Sequence, residues 1–142
     1  MIVDRSTVRN AIDQLTIDLF VTPILPVTPV PVVFGNQVNA TLSQGTAPYL
    51  KQRVSFTRDN QRDLGNLCSR RLHGYILFMI HVRKGAGDLA RDDLMDRVTR
   101  GFRSRYIGPA TTLDSQVVLS SESENWAITG IQTPFYFDTS EE

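Results

Sequence analysis

The sequence predicts an α+β fold, with a mainly antiparallel sheet of about four to five strands and two helices packed on one face. Two stretches have apolar residues at helical spacing, one near the N-terminus and one after residue 88. Elsewhere, apolar and polar residues alternate over short segments, which is typical of strands. Because several of these strands follow one another without an intervening helix, we expect antiparallel pairing.

The composition indicates one folded domain over residues 1–142. Hydrophobic residues make up 41% of the chain and charged residues 21%, as in ordinary globular proteins. Fifteen Lys and Arg balance fifteen Asp and Glu, which gives no reason to expect tight nucleic-acid binding. No apolar run reaches the length of a membrane span, and the charged N-terminus has no signal-peptide core. We therefore expect a cytoplasm-like compartment.

The first helix is expected to begin at Ser6, a candidate N-cap, and to end near Phe20, ahead of Pro23. Residues 22–31 contain four of the seven prolines and predict an extended connector. This connector is either a stiff linker that crosses the domain or a proline-rich ligand. Residues 31–34 predict a short edge strand, and a polar loop follows.

Residues 48–56 predict a strand with one apolar face and one basic face, the latter carrying Lys51 and Arg53. Residues 57–71 lose the alternation and predict a long loop. The loop contains four arginines, Arg58, Arg62, Arg70 and Arg71. It is either a solvated loop or a protruding arm that docks onto a neighbouring subunit.

The stretch around which the chain is organised is residues 72–102, and it begins with a predicted strand at 72–82 that is apolar on both faces. Such a strand either lies centrally in a sheet covered on both sides, or has one face that awaits a partner. A tight glycine turn at 85–87 leads to a second helix with Asp88 as its N-cap and Leu94, Val98 and Phe102 buried.

The arginines late in this second helix either complement the helix dipole or form a partner-binding face. A final hairpin is expected from residues 116–120 and 125–137, with Pro134 marking an edge or a bulge.

Reactive residues form no recognisable catalytic or metal site. The single cysteine, Cys68, excludes a disulfide within the chain, and nothing in the sequence marks a group that would orient it. His73 and His81 would stand roughly 26 Å apart on one strand, too far to share an ion. The glycines at 85–87 lack the further residues of a phosphate-binding motif, and Asp88 would repel an anion.

Four short motifs occur in a recognisable order. APYL at 47–50 opens a strand, RLHGYI at 71–76 begins the next, KGAG at 84–87 precedes a helix, and Trp126 announces the last strand. In this order and spacing the chain resembles the phage tail-terminator family of long-tailed bacteriophages, including its lambda-like members. The likeness runs from about residue 5 to 137, and the prolines at 22–31 depart from it.

The resemblance implies a homo-hexameric ring, without cofactor, catalysis or membrane contact. The ring would cap the head-proximal end of the tail tube, stop tube polymerisation, and present a surface to the head-completion and neck proteins. It would lie at the tail–neck junction of the virion after assembly in the host cytoplasm, and genomic DNA would pass through its hole. We expect partner or lumen contacts from six residues, Lys51, Arg53, Arg58, Arg62, Arg70 and Arg71.

Several other functions remain open from the residues alone. The chain could be a head-completion or neck connector, or a tail-tube subunit. More distant alternatives are a small enzyme that uses Cys68, a phosphate-binding protein that uses residues 85–88, and a monomeric binding module.

Overall fold

A computed structural model describes residues 4–25, 27–35, 45–61, 69–123 and 125–140, with the backbone alone at 58–61, 69 and 140. Two helices lie against one sheet. In chain order the elements are α1 (Arg5–Thr16), a π-helical turn (Ile17–Val21), β1 (Val32–Phe34), β2 (Tyr49–Gln61), β3 (Ser69–Arg83), α2 (Leu89–Phe102), β4 (Tyr106–Ile107), β5 (Ala110–Thr112), β6 (Gln116–Glu122) and β7 (Trp126–Ser140).

The prediction of a mainly antiparallel sheet of four to five strands is wrong. The sheet is mixed, has seven strands, and curls into a half-barrel in the order β1-β2-β3-β7-β5-β4, with β6 also paired to β7. β1 runs parallel to β2, and the proline-rich connector leads into it from α1. Its path is fixed by backbone bonds from Val30 N to Phe20 O (2.7 Å) and from Leu50 N to Pro31 O (3.0 Å).

The strands β4 and β5 were not predicted. They have two and three residues and meet at a turn in which Gly108 takes a φ of 57°. Segments this short do not show a period of two, so alternation could not reveal them.

The prediction of a long loop over residues 57–71 is also wrong, because both ends of that range belong to strands. β2 continues to Gln61, and β3 begins at Ser69, so the two strands pair beyond the predicted boundary. The register shifts between Phe56 and Arg58, which leaves Thr57 as an extra residue. A bulge of this kind reverses the alternation of apolar and polar residues, and the continuation of the strand was therefore hidden. Residues 62–68, with Arg62 and Cys68, lie outside the described part.

The core lies between the helices and one side of the sheet, which we call the inner face. On β3 it comprises the even-numbered residues, and Ile76, Phe78 and Ile80 are completely buried there. The ring of Phe78 lies 4.8 Å from that of Phe102 in α2 and 6.0 Å from that of Phe20 after α1, centroid to centroid. One aromatic side chain thus joins both helices to the central strand. The predicted burial of Leu94, Val98 and Phe102 is confirmed.

Helix α1 is capped earlier in the chain than predicted. Asp4, not Ser6, is the N-cap, and its carboxylate accepts a hydrogen bond of 2.9 Å from the backbone N–H of Thr7. Ser6 donates its hydroxyl to the same carboxylate at 2.8 Å. The Thr7 backbone bond is the main cause that lowers the pKa of Asp4.

Pro134 lies within β7, which continues to Ser140, and so does not mark the end of that strand. On the edge away from β3, pairing to β6 stops at Gln132 and pairing to β5 starts at Phe135. The missing N–H of proline falls in the gap between these two partners, where no ladder bond is lost.

Candidate interaction surfaces

The side of the sheet away from the helices, the outer face, is only partly covered. It is formed by odd-numbered residues of β3, together with their neighbours on β2 and β7. Tyr75, Leu77 and Met79 at its centre are half-buried, whereas the intervening residues of β3 are completely buried on the inner face. β3 therefore has apolar side chains on both faces. The helices cover the inner face, whereas the outer face is open, which means that its side chains are partly exposed to solvent.

One flank of the outer face is basic. Lys51 lies opposite Met79, and Arg53 lies opposite Leu77, so both predicted cations of β2 border the apolar centre. Arg53 is exposed and Lys51 is half-buried. Arg71 and Arg83 lie on the same face near the two ends of β3. These positions bring three of the six predicted contact residues, Lys51, Arg53 and Arg71, to one surface.

Arg71 is held in place by its neighbours on β7. Its guanidinium donates two hydrogen bonds to the carboxylate of Asp138, at 2.9 and 3.2 Å, and lies 4.3 Å from the centroid of the Tyr136 ring. The geometry is bidentate, which fixes the side chain as well as pairing its charge. Arg71 therefore offers less free charge to a partner than Arg53 does.

The other three predicted contact residues are Arg70, Arg58 and Arg62. Arg70 is exposed at the neighbouring position of β3, opposite Thr139. The backbone of Arg58 pairs with His73, and Arg62 lies outside the described residues.

An aromatic cluster closes the other end of the outer face. The imidazole of His81 stacks on Tyr49 with centroids 4.5 Å apart, and Trp126 meets Tyr49 edge-on at 5.1 Å. The Nδ1 atom of His81 lies 3.2 Å from the carbonyl oxygen of Met79, to which it can donate. Burial is the main cause that lowers the pKa of His81, and the nearby charge of Lys51 acts in the same direction.

A cleft of about 710 Å³ opens on the helical side, between the turn after α1 and α2. Its walls include the apolar side chains of Ile24 and Val27 and three arginines, Arg97, Arg100 and Arg105. Arg97 lies 5.0 Å from the centroid of the Phe20 ring and donates to the carbonyl of Leu19 at 3.2 Å. The sequence indicated the charge of this helix end but not the cleft, because the apolar wall comes from the distant proline-rich connector.

A second depression, of about 470 Å³, lies at the turn between β3 and α2. Gly85 and Gly87 have φ values of 84° and 86°, so the predicted glycine turn is confirmed. The carboxylates of Asp88 and Glu122 line the depression beside Lys84 and Arg91. Asp88 lies 3.2 Å from Arg91, and Glu122 lies 3.5 Å from Lys84, so the local charges pair with one another.

Within the described ranges, no group of three or more His, Cys, Asp or Glu side chains is placed to hold a metal ion. Neither described helix combines the length and the apolar character that a membrane crossing requires.

Comparison with known proteins gives a likeness of fold alone. No family model matches the chain, and no curated protein matches it. Among solved structures, one chain whose name states no function aligns with a TM-score of 0.62 and 13% sequence identity, over 98% of this chain and 96% of its own length. At this level of identity, the match supports the same overall fold from end to end.

Proposed function

We propose that the chain is a structural subunit of a bacteriophage tail, six copies of which close into a ring on the head-proximal end of the tail tube. The ring ends tube polymerisation, binds the head-completion or neck protein on its other side, and lets genomic DNA pass through its hole. The order of sequence motifs suggested this role. The observation that supports it best is the open outer face.

The outer face argues for assembly because the strand at its centre is apolar and only half-buried. Tyr75, Leu77 and Met79 lie on the central strand, which is antiparallel to both of its neighbours. The uncovered face of an antiparallel sheet is ordinarily polar, so apolar side chains there are unusual. Leu119 of β6 extends this surface, since it lies so close to Gly130 that a Cβ added there would be 2.9 Å from the Leu119 Cβ. Apolar side chains bordered by polar residues on an accessible surface are typical of a protein–protein interface.

The basic flank suits the hole of the ring. The described side chains of the outer face include one carboxylate, Asp138, and four cations, Lys51, Arg53, Arg71 and Arg83. Cations on a strand surface attract phosphates without reading bases. Pairing of Arg71 with Asp138 moderates the attraction, which suits DNA that must slide.

Tube polymerisation in the presence of the chain tests the proposal. Tail tube protein is allowed to polymerise with and without the purified chain, and tube lengths and tube ends are measured by electron microscopy. A terminator shortens the tubes, and one ring is visible at one end. If the chain instead forms long cylinders by itself, it is a tube subunit. If it leaves tube length and tube ends unchanged at saturating concentration, the proposal is wrong.

A further inference from the structure

Charge is divided sharply along the sequence. All fifteen Lys and Arg lie in residues 1–105, together with nine carboxylates, whereas residues 106–142 contain six carboxylates and no Lys or Arg. The neutral total therefore conceals a basic part, which includes both helices, and an acidic part, which includes β4 to β7. Surfaces of opposite charge on one chain attract each other between copies.

The basic part contains the cleft on the helical side, which is the first of the two surfaces considered. Ile24 on its rim is 87% exposed, and Val27 beside it is also exposed. Arg100 and Arg105 each donate one hydrogen bond to a backbone carbonyl of α2, at 3.3 and 2.9 Å. No described carboxylate lies within ion-pair distance of Arg97, Arg100 or Arg105, although Asp18 and Asp93 line the same cleft. The cleft thus combines exposed apolar side chains with available positive charge.

The acidic part contains the second surface, the exposed edge strand β6. All seven of its residues are exposed, among them three consecutive apolar ones, Val117, Val118 and Leu119. Glu122 ends the strand, and Asp114 precedes it. Soluble proteins ordinarily protect an edge strand with charges or a covering element, so an exposed apolar edge indicates that a partner covers it.

From these two surfaces we infer that β6 of one copy docks against the arginine cleft of the next copy. The inference rests on the ring proposed above and identifies the contact between its subunits. The contact joins two different patches, so each copy has one of each free, as a head-to-tail ring requires. The register with β7 places Val117 and Glu122 on the same side of β6. In the contact, Val117 covers Ile24 and Val27, while Glu122 approaches Arg100.

Disulfide trapping between separately labelled copies tests the contact. In a Cys68→Ser background, Ile24→Cys chains and Val117→Cys chains are mixed and mildly oxidised, and the dimers are identified by mass. Cysteines form a disulfide only when their Cβ atoms come within about 4 Å, so the bond reports a specific approach. The expected result is a heterodimer yield about tenfold above that of either homodimer, as apposition of two sites raises their effective concentration.

Leu89→Cys provides the matched control for Ile24→Cys. Leu89 is 84% exposed, lies at the start of α2 away from the cleft, and is expected to give only background crosslinking to Val117→Cys. Adding Arg100→Glu to the Ile24→Cys chain should lower the heterodimer yield about tenfold, and Glu122→Arg on the other chain should restore it.

Three results would overturn this contact. They are homodimers in at least statistical proportion, equal crosslinking of Leu89→Cys, and no crosslink at high concentration or on tubes. A disulfide between Ile24→Cys and an introduced cysteine of the tube protein would instead assign the cleft to that protein. If rings cap tubes while the trap fails, the contact is wrong and the proposed function stands; if neither is seen, both fail.

Discussion

Gly74 lies where three strands approach too closely for any side chain. A Cβ added at this position would be 2.3 Å from the backbone oxygen of Ser55 on β2 and 2.8 Å from the ring of Phe135 on β7. Backbone cannot move aside as a side chain can, so we expect Gly74→Ala to lower the free energy of unfolding by about 2–4 kcal/mol. Urea denaturation measures the change.

Gly87→Ala is the matched control for this substitution. Gly87 has a positive φ of 86°, but a Cβ added there would meet no atom within 4 Å. Its replacement should cost only the left-handed backbone penalty of about 1 kcal/mol. Equal losses at both positions would show that the close approach of the strands at Gly74 does not determine its identity.

The imidazole of His81 makes stability depend on pH. Burial lowers its pKa in the folded state below the ordinary value of 6.5, so the unfolded chain binds the proton more readily. The contribution of His81 is therefore complete above the unfolded pKa and declines as pH falls through about 6.5 toward the lower folded pKa. We expect the free energy of unfolding to fall between about pH 7 and pH 5.5.

Replacement of His81 by Phe keeps a ring beside Tyr49 and removes the titrating group. Urea denaturation of His81→Phe should show a smaller decline over the same pH range. Leu77→Phe, on the same face, introduces a ring without removing a titrating group; it serves as the control and should keep the wild-type slope. An unchanged slope in His81→Phe would contradict this assignment.

At the scale of elements, hydrogen bonds between buried or partly buried polar side chains connect α1 to β2. Gln52 is 2% exposed on the inner face; its side-chain oxygen accepts from the hydroxyl of Thr16, and its amide donates to the carboxylate of Asp13 at 2.6 Å. Burial is the main cause that raises the pKa of Asp13, and the bond from Gln52 opposes it. The helix thus bonds to a side chain that alternation alone would assign to an apolar position.

Gln52→Met tests these hydrogen bonds because it keeps the length of the side chain and removes both of its polar groups. We expect a loss of about 1–3 kcal/mol in the free energy of unfolding, since a partly buried carboxylate is left without its donor. Gln14→Met is the control: Gln14 also donates to an aspartate, Asp18 at 3.0 Å, but is exposed. Its change should be within about 0.5 kcal/mol. Equal effects would exclude a structural role for these hydrogen bonds.

The elements that the sequence predicted well are those with long, uninterrupted periods. The buried stripe of α2 and the two-sided strand β3 were read correctly because nothing breaks their spacing. The predicted β2 ended too early because the bulge at Thr57 interrupts the alternation. β4 and β5 have too few residues to show a period. Parallel pairing of β1 depends on contacts between distant residues, which a local pattern does not contain.

The candidate surfaces were predicted only in part for the same reason. Alternation placed Lys51 and Arg53 on one face, and the structure confirms that they share it. That Arg71 joins them and pairs with Asp138 follows from the register of β3 with β7, which the sequence does not specify. The arginine cleft was missed as a cavity because its walls come from segments about 70 residues apart in the chain.

At the scale of the whole molecule, the proposed function predicts that the basic flank of the outer face matters for DNA passage and not for ring formation. In phage particles, Lys51→Glu combined with Arg53→Glu should leave tails capped but reduce infectivity at least about tenfold, because the reversed charges repel phosphates. Arg91→Glu combined with Arg103→Glu, two reversals on the helical side of the molecule, is the matched control. Normal infectivity of the β2 variant would refute a lumen position for this flank.

The most direct test of the proposed ring is an image reconstruction of capped tail tubes by cryo-electron microscopy, without imposed symmetry. We expect six copies of the chain at the head-proximal end, with the outer face of each covered by its neighbour and the hole open along the tube axis. A single copy at the tube end, or copies whose outer faces remain open to solvent, would contradict the account.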